Sequence, residues 1–597
     1  MKNRYTYIFM MALFAVFACE RVEELSRPEK EQEVIEKVAM TMEAVIESDD
    51  TRTVLVDSDV ENVKKVFWQP GDAIGVSASN ASTYGRYVSV EKFTSTLESP
   101  EKRSDFTGNI QTASSYKAFY PYTETLKDSC DIFYFDVPSV QNYVKGSFDP
   151  DAALMVAFAE YGQVFNFKNL GSVLGLRLTG EELVKSISFS AYNEFGQPAP
   201  LSGRFRVSPT SESLQMEPYG KQGYTLTLNC DEPVQLDPNT PSVFYLMVPP
   251  GTYSSFSVAI STADSGMMIK ETNNQLKLER SHIKHTGTLE FVECEFEDLS
   301  KFGNANSYLV TEAGNYSFDA TIIGNGGYGL IEGANFHTQS PFITPASAEL
   351  LWQDTPGVVS IVNLNGGNVC FKATGTEGNA VVAVKDEYGT ILWSWHIWVT
   401  DEPQEHLYNG MYVMMDRALG SISAVEGDFG GALYYQWGRK DPFMIGESYI
   451  HSTHECLGQF ANLSGAIANP NAFGVAEDWV DNLGSLLWSN DTKTIYDPCP
   501  LGWRVPSVYA WNSMEIKHDR DNGPYGVVIY CYDEDYFWYP DTPRVGWGAN
   551  VEGSYTDDNT EFWTSERGVT KYIRYDGFSE NGRCNGDGHP VRCMKDE

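Results

Sequence analysis

The chain has 597 residues and a formal net charge of −38 at pH 7, from 81 acidic and 43 basic side chains. This charge disfavours nucleic acid and anionic membrane surfaces as partners, because lysine and arginine are needed to neutralise phosphates. Hydrophobic residues make up 42% and aromatic residues 13% of the chain, so wholesale disorder is excluded and globular cores are expected. At ~150 residues per domain, the length predicts about four domains.

The N-terminus has the pattern of an export signal. Lys2 and Arg4 precede twelve apolar residues, which as a helix would rise only about 18 Å, too short for a bilayer core of ~30 Å. The VFAC stretch that ends at Cys19 resembles the lipobox of bacterial lipoproteins, which implies removal of residues 1–18 and a diacylated Cys19 in the outer membrane. An ordinary cleaved signal peptide is the alternative. Residues 19–35 are charged and form a tether, and its first glutamates resemble the surface-export signal of Bacteroidota lipoproteins.

Residues 36–298 alternate apolar and polar side chains with a period of two, which indicates β-strands. Examples are SISFS at 186–190 and YTLTL at 224–228. Turn residues such as PPG separate these runs, and short alternating strands between regular turns predict β-sandwiches. We expect one sandwich over residues 36–165 and a second over residues 166–298.

Five spaced motifs in this part resemble the fimbrillin family, whose members are lipoprotein pilus subunits of Bacteroidota built from two successive β-sandwiches. The motifs are TRTV (51–54), FWQPGDAIGV (67–76), YKAFYPY (116–122), FNFKNLGSVLGL (165–176) and FYLMVPPGTY (244–253). The resemblance implies assembly by strand donation, in which the first strand of one subunit is clipped away and a strand of another subunit fills the groove. It implies that VAMTMEAVI (38–46) is the removable strand and that Arg52 is a trypsin-like processing site, with Arg21 and Arg27 as alternatives.

We expect a third β domain over residues 299–402, whose last strand is ILWSWHIWVT at 391–400. The odd positions from Ile391 to Val399 are all apolar, whereas the even positions mix Leu, Ser, His, Trp and Thr. This pattern predicts one fully buried face and one partly covered face. A row of tryptophans could bind sugar, but this parity is more typical of a core. Residues 401–406 have the composition of a linker.

Residues 403–597 differ in composition from the preceding part. They hold eight of the thirteen tryptophans and many glycines, and their apolar residues are irregularly spaced. We expect an α+β domain here. Pro506 and Ser507 predict the start and the N-cap of a helix over residues 508–516. A second helix is expected over residues 476–488.

Five motifs in this range resemble the major paralogous domain of Fibrobacter succinogenes. They are MMDRALG (414–420), YYQWGRKDPF (434–443), YDPCPLGWRVPS (496–507), FWT (562–564) and VRC (591–593). The resemblance implies a lectin-like domain, related to the C-type-lectin and formylglycine-enzyme folds. It also implies a disulfide between Cys499 and Cys593, which both lie inside the motifs and which an oxidising location allows. Ala510 stands where the family usually has an acidic residue, so any role of that carboxylate is lost here.

An aromatic cluster in the last domain is the candidate ligand surface. The four aromatic residues at 536–539 cannot all point inward from one strand. We therefore expect Tyr536, Trp538 and Tyr539, with Trp547 nearby, to offer a surface on which sugar rings could stack. Packing within a loop-rich domain is the alternative.

The sequence predicts no catalytic residues, no metal ligands and no cofactor. HSTHEC (451–456) is not a zincin motif, and DRDNG (519–523) lacks the downstream glutamate of an EF-hand, although a lectin-like calcium site stays open. There is no nucleophile elbow and no P-loop. The acidic clusters at 533–535 and 557–561 are expected to be solvated loops.

Together these patterns predict a non-enzymatic, surface-exposed lipoprotein of the outer membrane. We expect a fimbrial subunit or tip adhesin that is assembled by β-strand donation. Its partners would be other fimbrial subunits and, through the last domain, a glycan or a host or bacterial surface protein. The alternative is a glycan-binding surface lipoprotein that does not polymerise. A formylglycine-type oxidase is a third reading, but the cysteine motif that it requires is not visible.

Overall fold

The computed structural model describes residues 37–47, 56–57, 64–65, 67–79, 87–129, 131–195, 197–211, 213–327, 329–331, 337–408, 411–428, 430–484, 486–513, 526–530, 536–553, 560–574 and 577–596. The predicted signal peptide and tether, with Cys19, lie outside these residues, and so does the predicted processing site Arg52. The clusters at 519–523 and 533–535 lie outside them as well. None of the described helices is long and apolar enough to span a membrane.

The described residues form mainly β-strands, which confirms the mainly β fold class. Up to residue 298 the strands are β1 (Val38–Ile46), β2 (Val56–Asp57), β3 (Lys64–Lys65), β4 (Ala73–Ser79), β5 (Tyr87–Val88), β6 (Glu91–Ser95), β7 (Arg103–Ile110), β8 (Ser115–Tyr120), β9 (Lys127–Ser129), β10 (Ile132–Val137), β11 (Val140–Asn142), β12 (Met155–Glu160), β13 (Phe165–Asn169), β14 (Ser172–Thr179), β15 (Leu183–Tyr192), β16 (Ser202–Val207), β17 (Glu217–Gly223), β18 (Thr225–Gln235), β19 (Ser242–Val248), β20 (Gly251–Tyr253), β21 (Ser255–Thr262), β22 (Met267–Thr272), β23 (Leu276–Leu278), β24 (Ile283–Glu290) and β25 (Glu297–Asp298). A short 3₁₀ turn covers Pro150–Ala152.

The rest of the chain continues with strands and two short helices. The strands are β26 (Ser307–Val310), β27 (Gly314–Asp319), β28 (Gly329–Ile331), β29 (His337–Gln339), β30 (Ser347–Gln353), β31 (Val359–Asn365), β32 (Asn368–Ala373), β33 (Gly378–Lys385), β34 (Ile391–Val399), β35 (Glu405–Tyr408), β36 (Tyr412–Met415), β37 (Tyr435–Gln436), β38 (Glu455–Leu457), β39 (Ala472–Gly474), β40 (Trp503–Arg504), β41 (Gly526–Tyr530), β42 (Tyr536–Pro540), β43 (Arg544–Val545), β44 (Val551–Glu552), β45 (Thr560–Trp563), β46 (Val569–Arg574), β47 (Gly577–Gly582), β48 (Gly588–His589) and β49 (Met594–Lys595). The helices are α1 (Leu463–Ile467) and α2 (Val508–Asn512).

A closed barrel forms the first part of the fold. Its strands follow the order β1, β13, β12, β8, β4, β6 and β7, and β7 pairs back to β1. Trp68 is fully buried in its core and packs edge-on against Phe106, Tyr120 and Phe167, with ring centroids 5.0, 5.3 and 5.2 Å away. The turn that follows Trp68 needs Gly71, whose φ of +85° is disfavoured for residues with a side chain.

Strands from both sides of residue 165 share sheets. β10 pairs with β16, and β11 pairs with β18. The buried side chains Phe119 and Phe205 belong to one hydrophobic cluster. The ranges expected as two sandwiches, 36–165 and 166–298, are therefore joined by common sheets and a common core.

A second core lies between the sheet β11–β18–β15–β21–β22 and the sheet β19–β14–β24. Its alternation follows the sequence pattern, since Ile187 and Phe189 on β15 are fully buried. The polar face of β15 is buried as well, because β31 packs on it. The Ser188 hydroxyl donates to Asn363 Oδ1 at 3.1 Å, and Asn363 Nδ2 donates to Ser261 Oγ at 3.3 Å. The third part of the chain is thus tied to the second by buried hydrogen bonds.

Residues 299–402 and 403–597 share one continuous hydrophobic core. The sheet β26–β34–β33–β30 supplies one side of it. The cluster contains tryptophans from both ranges, namely Trp352, Trp393, Trp395, Trp398, Trp437, Trp479, Trp488 and Trp563. The expected boundary at residue 402 therefore does not coincide with a break in the core.

Both faces of β34 are buried, whereas the sequence predicted one partly covered face. The Ser394 hydroxyl donates to Asp441 Oδ1 at 2.6 Å, and Trp398 Nε1 donates to the Ser421 carbonyl at 3.2 Å. Residues that follow the expected linker thus cover the even positions. The prediction was wrong because alternation within a strand does not reveal what a later part of the chain lays on it.

One of the two predicted helices forms. α2 begins after Ser507, whose hydroxyl accepts from the Ala510 amide at 3.2 Å, as the sequence indicated. The helix expected over residues 476–488 is absent from its described residues, which form turns around buried tryptophans. Asn482 has φ of +52°, which an α-helix does not accommodate. The sequence analysis also missed α1, which is only five residues long.

Candidate functional site

The strand β1 closes the barrel and is the first candidate site. It pairs antiparallel with β7 over eight residues, from Val38 opposite Ile110 to Val45 opposite Arg103. On its other side it pairs parallel with β13 over only three residues, from Ala44 to Ile46. The first half of β1 therefore has one ladder neighbour, and its second half has two.

The side chains of β1 follow the same division. Val38 is 40% exposed, whereas Met42, Ala44 and Ile46 are buried. Ala44 lies opposite Ser104 in one ladder and Phe165 in the other. Because Ala44 is fully buried between two strands, a larger side chain would overpack the barrel at this position.

Two ion pairs lie on the outer face of β1. Lys37 Nζ is 2.6 Å from Glu91 Oε1, and Arg103 Nη1 is 2.5 Å from Glu43 Oε1. The side chain of Arg103 is 64% exposed and that of Lys37 is 49% exposed. Exposed pairs of this kind contribute little to stability, about 0–1 kcal/mol each.

Glu47, directly after β1, is held more firmly. Its Oε1 accepts from Arg280 Nη1 at 2.5 Å, from the Ser281 hydroxyl at 3.0 Å and from the Asn169 amide at 3.3 Å. Its own amide donates to the Phe167 carbonyl at 2.8 Å. The end of β1 is thus bound through Arg280 and Ser281 to the turn between β23 and β24. The sequence analysis missed this contact, because Glu47 and Arg280 are 233 residues apart.

The candidate aromatic surface is not exposed at the residues where the structure describes it. Trp538 and Tyr539 are buried, at 4% and 0% exposure, and the side chain of Tyr536 lies outside what the structure describes. Trp538 Nε1 donates to the Asp428 carbonyl at 3.0 Å. The Tyr539 ring lies 3.9 Å from the guanidinium carbon of the buried Arg592. Contrary to the expectation, Trp538 and Tyr539 offer no ring to a ligand, since other segments cover both faces of β42.

Among the members of the expected surface whose side chains the structure describes, Trp547 is exposed, at 44%. It lies in the turn between β43 and β44, and its amide donates to Asp587 Oδ1 at 2.8 Å. Tyr449 is 65% exposed and forms a β-bridge with Asn550 of the same turn. Two exposed aromatic residues therefore lie on neighbouring backbone segments.

Glu561 is buried in β45, although the sequence analysis placed it in a solvated acidic loop. Its carboxylate accepts from Arg583 Nε at 2.8 Å and Nη2 at 2.9 Å, and also from the Thr570 hydroxyl. Burial acts to raise the pKa of Glu561, but the neighbouring His589 and the hydrogen bonds from Arg583 and Thr570 lower it to about 2. The expectation was wrong for Glu561 because its partner lies 22 residues later in the sequence.

The HSTHEC segment holds a structural histidine. His454 is buried, its Nε2 accepts from the Met444 amide at 2.9 Å, and its Nδ1 donates to Asn471 Oδ1 at 2.6 Å. Burial lowers the pKa of His454 to about 4, so it is neutral near pH 7. Among the described residues, no group of three His, Cys, Asp or Glu side chains is placed to hold a metal ion.

The structure joins Cys499 and Cys593 in a disulfide, the pair that the motif resemblance implied. Both cysteines are fully buried in the shared core. Cys593 directly precedes β49, an inner strand between β36 and β40. This covalent bond therefore fixes the last described strand inside its sheet.

No family profile matches this chain, and no curated protein sequence is similar to it at a significant level. The resemblances to fimbrillins and to the major paralogous domain therefore stay predictions.

Several solved structures align with the fold at low similarity. A proposed cell adhesion protein from Bacteroides ovatus is 12% identical, and the alignment covers 43% of this chain and 97% of that protein, with a TM-score of 0.28. A fimbrial protein from Bacteroides ovatus is 11% identical over 94% of this chain and 100% of its own, with a TM-score of 0.19. The tip fimbrial protein Mfa3 from Porphyromonas gingivalis is 10% identical over 40% of this chain and 81% of its own, with a TM-score of 0.19. Because these TM-scores lie below 0.5, the likenesses carry no conclusion about this chain.

Proposed function

We propose that this chain is a surface-exposed fimbrial subunit or tip adhesin in which β1 is removed and replaced by a strand of another subunit. The observation that carries the proposal is the position of β1: it is the first described strand, and it closes a barrel by main-chain pairing on two sides. A cut after Arg52 would leave β1 joined to the barrel by non-covalent contacts alone. Lipidation of Cys19, with an outer-membrane anchor, belongs to the same proposal.

Removal of β1 would create a groove that demands a substitute. β7 and β13 would each expose a row of unpaired amide and carbonyl groups, and such edges recruit strands. Ladder hydrogen bonds do not depend on side chains, so another strand can supply them. The side-chain pockets left by Met42, Ala44 and Ile46 would then select a donor with two larger apolar residues around one small residue.

The ion pairs of β1 add a charge requirement. Arg280 loses its carboxylate partner when Glu47 leaves, and its side chain is 32% exposed. A donor with an acidic residue one position after its last buried side chain would restore that pair. The preferred donor therefore has the order apolar, any, small, any, apolar, acidic.

The proposal assigns this chain the role of strand acceptor. A donor needs a strand that is free to leave, whereas β49 lies between β36 and β40 and follows a disulfide-bonded cysteine. Acceptance without donation is the behaviour of a subunit at the tip. The enclosed position of β49 therefore supports placement at the tip.

Trypsin treatment of the purified precursor tests the processing step. We expect a new N-terminus directly after Arg52, because β1 itself contains no lysine or arginine and survives inside the barrel. Edman sequencing or mass spectrometry identifies the cut, and lipid at Cys19 is read from the N-terminal peptide of the native protein. A chain that stays uncut between residues 40 and 65 contradicts the processing step.

Peptide uptake tests the groove. After processing, the released strand is displaced with mild denaturant, and a labelled peptide of residues 37–47 is added on refolding. We expect uptake of this peptide and little uptake of the same peptide with Ala44→Phe, because the buried position of Ala44 has no room for a ring. Equal uptake of both peptides contradicts strand exchange at this groove.

A second candidate function is glycan binding without polymerisation, which the exposed Trp547 and Tyr449 favour. Both rings are exposed on neighbouring segments, and an exposed Trp or Tyr side chain combines an apolar body with a polar group. Two measurements separate the two functions: a glycan array probed with the full chain, and a search for ladders of oligomers, meaning oligomers of regularly increasing size. Glycan binding without ladders supports this candidate, and ladders without glycan binding support strand exchange alone.

A further inference from the structure

A polar cavity of about 480 Å³ lies between the hairpin β43–β44 and the sheet β45–β46–β47. Its volume falls in the range of small-ligand sites, ~300–1,000 Å³. The side chains that carry its chemistry are Arg544, Glu552, Glu561, Ser579, Asn581 and Arg583. We propose that this cavity binds a neutral, hydroxyl-rich ligand of the carbohydrate class. This inference rests on the ligand-binding role proposed above for the last part of the chain.

The charges of the described lining cancel. Among the described residues, the charged ones that line the cavity are two arginines and two glutamates, and each arginine is paired with a glutamate, Arg544 with Glu552 and Arg583 with Glu561. A charged ligand would have to break one of these pairs or enter without a partner, and breaking the largely buried pair of Arg583 with Glu561 would leave an uncompensated charge. The net charge of −38 on the whole chain further disfavours anionic ligands. A neutral ligand meets neither penalty.

The paired carboxylates also make the cavity a poor cation site. Both oxygens of Glu561 accept from Arg583, and Glu561 is only 5% exposed. Glu552 is bound by Arg544 across the hairpin. A cation would have to displace a guanidinium from each carboxylate. The cavity is therefore suited to hydrogen bonding rather than to metal coordination.

Donors and acceptors are fixed side by side, which suits hydroxyl groups. Arg583 uses Nε and Nη2 on Glu561, and within the described part of the chain its Nη1 has no partner. Asn581 Nδ2 donates to Glu561 Oε1 at 3.3 Å, which leaves the Asn581 amide oxygen as an acceptor. A sugar hydroxyl donates one hydrogen bond and accepts others, so it can use both kinds of group at once. The pair Glu561–Arg583 holds this arrangement in place before the ligand arrives.

Trp547 lies on the hairpin that lines the cavity, outside the lining itself. The hairpin that lines the cavity with Arg544 and Glu552 carries Trp547 in its turn. The turn is closed by a hydrogen bond from the Gly546 amide to the Asn550 carbonyl at 2.8 Å. An oligosaccharide seated in the cavity could therefore continue toward an exposed aromatic ring. A free-standing monosaccharide would use the cavity alone.

A glycan array with the full chain tests the ligand class. The array carries neutral oligosaccharides of hexoses and N-acetylhexosamines, sialylated glycans and sulfated glycans. We expect signals confined to neutral glycans. A preference for sialylated or sulfated glycans overturns the assignment to a neutral ligand.

Two variants test the place of binding, with a neutral glycan from the array as the probe in calorimetry. Ser579 is exposed on β47 and lines the cavity, so Ser579→Trp fills the space without disturbing a core. We expect a loss of affinity of about tenfold or more, which equals ~1.4 kcal/mol. Ser464→Trp is the matched control, because Ser464 is exposed on α1 and does not line the cavity, and we expect its affinity to match that of the unaltered chain. If Ser579→Trp fails to fold, Arg544→Gln replaces it, with the same expected loss.

The possible results separate this inference from the proposed function. Binding of a neutral glycan that Ser579→Trp abolishes and Ser464→Trp preserves supports the cavity. Binding that survives both Ser579→Trp and Arg544→Gln overturns the cavity and leaves the ligand-binding role standing elsewhere, with Trp547→Ala as the next test. Absence of any glycan signal overturns the ligand-binding role together with the cavity, and leaves strand exchange at β1 untouched.

Discussion

β1 and β34 are both nine-residue strands, and their backbones are paired in nearly the same way. Each has an antiparallel neighbour over eight residues and a short parallel neighbour, over three residues for β1 and four for β34. Their side chains differ. Three of nine residues are buried in β1, against eight of nine in β34. Ladder hydrogen bonds can be supplied by any strand, so the difference in burial means that β1 is held less firmly by its side chains than β34.

The polar contacts strengthen this contrast. Those of β1 are ion pairs on its outer face and at its end, which water reaches. Those around β34 are buried: Lys440 pairs with Asp441 at 2.5 Å, and their side chains are 3% and 5% exposed. Breaking a buried pair leaves an uncompensated charge and is strongly destabilising, whereas exposed pairs contribute little. The polar contacts of β1 can therefore be broken at a lower cost in free energy than those around β34.

Acidification should have the largest effect, because it should destabilise the region around β34. Burial lowers the pKa of His396 on β34 to about 3, and that of His454 and His589 to about 4, although Glu561 acts to raise the pKa of His589. These folded-state values lie below the unfolded value of 6.5. The corresponding stability is therefore complete above pH ~6.5 and is lost as pH falls toward 4, on the order of 3 kcal/mol for each histidine.

Urea unfolding followed by tryptophan fluorescence measures this loss. Twelve of the thirteen tryptophans lie after residue 350, so the signal reports on the region around β34. We expect the midpoint to fall markedly between about pH 7.5 and about pH 4.5. A midpoint that does not move would show that these histidines are not held neutral by burial.

Truncation of a shared tryptophan should have the next largest effect. Trp395→Ala removes a ring that is 1% exposed in the core common to residues 299–402 and 403–597. We expect a loss of about 3–5 kcal/mol and joint unfolding of both ranges. Limited proteolysis with mass spectrometry shows whether both ranges unfold together.

Trp68→Ala is the matched control for this variant, since Trp68 is fully buried in the barrel core. We expect Trp68→Ala to expose the barrel to protease and to leave residues 299–596 resistant. If residues 403–596 stayed resistant to protease in Trp395→Ala, the common core would not act as one cooperative unit.

The sequence predicted the parts of this architecture that depend on local patterns. The motif resemblance implied a strand at VAMTMEAVI, where β1 lies, and the proline and serine before residue 508 identified the start of α2. The motif resemblance implied the pairing of Cys499 with Cys593. Each of these signals lies within a few residues of the element that it predicts.

The sequence could not predict contacts that join distant segments. Glu47 and Arg280, or Glu561 and Arg583, carry no local sign that they will meet, because their spacing matches no strand or helix period. For the same reason the expectation failed for β42: the alternation of strand faces showed that 536–539 cannot all point inward, but it could not show that Asp428 covers Trp538. The candidate ligand surface therefore included two rings that are buried, Trp538 and Tyr539, and the polar cavity was missed.

The smallest expected effect distinguishes the two ends of β1. Glu47→Gln weakens the contacts with Arg280, Ser281 and Asn169, and both side chains of the pair with Arg280 are at most one-third exposed. We expect a loss of about 1 kcal/mol in the local stability of β1. This loss raises the rate of deuterium uptake in the peptide of residues 37–47 about fivefold. Hydrogen exchange with mass spectrometry measures this uptake.

Glu43→Gln is the matched control, because Glu43 pairs with Arg103 at the exposed outer face and the same amide replaces the same carboxylate. We expect uptake within about twofold of the unaltered chain, since exposed pairs contribute little. A larger effect from Glu47→Gln means that β1 is fastened at its C-terminal end and opens from its N-terminal end, where only β7 pairs with it. Equal effects would mean that β1 is held evenly along its length, and a donor strand would then have no preferred end at which to begin replacing it.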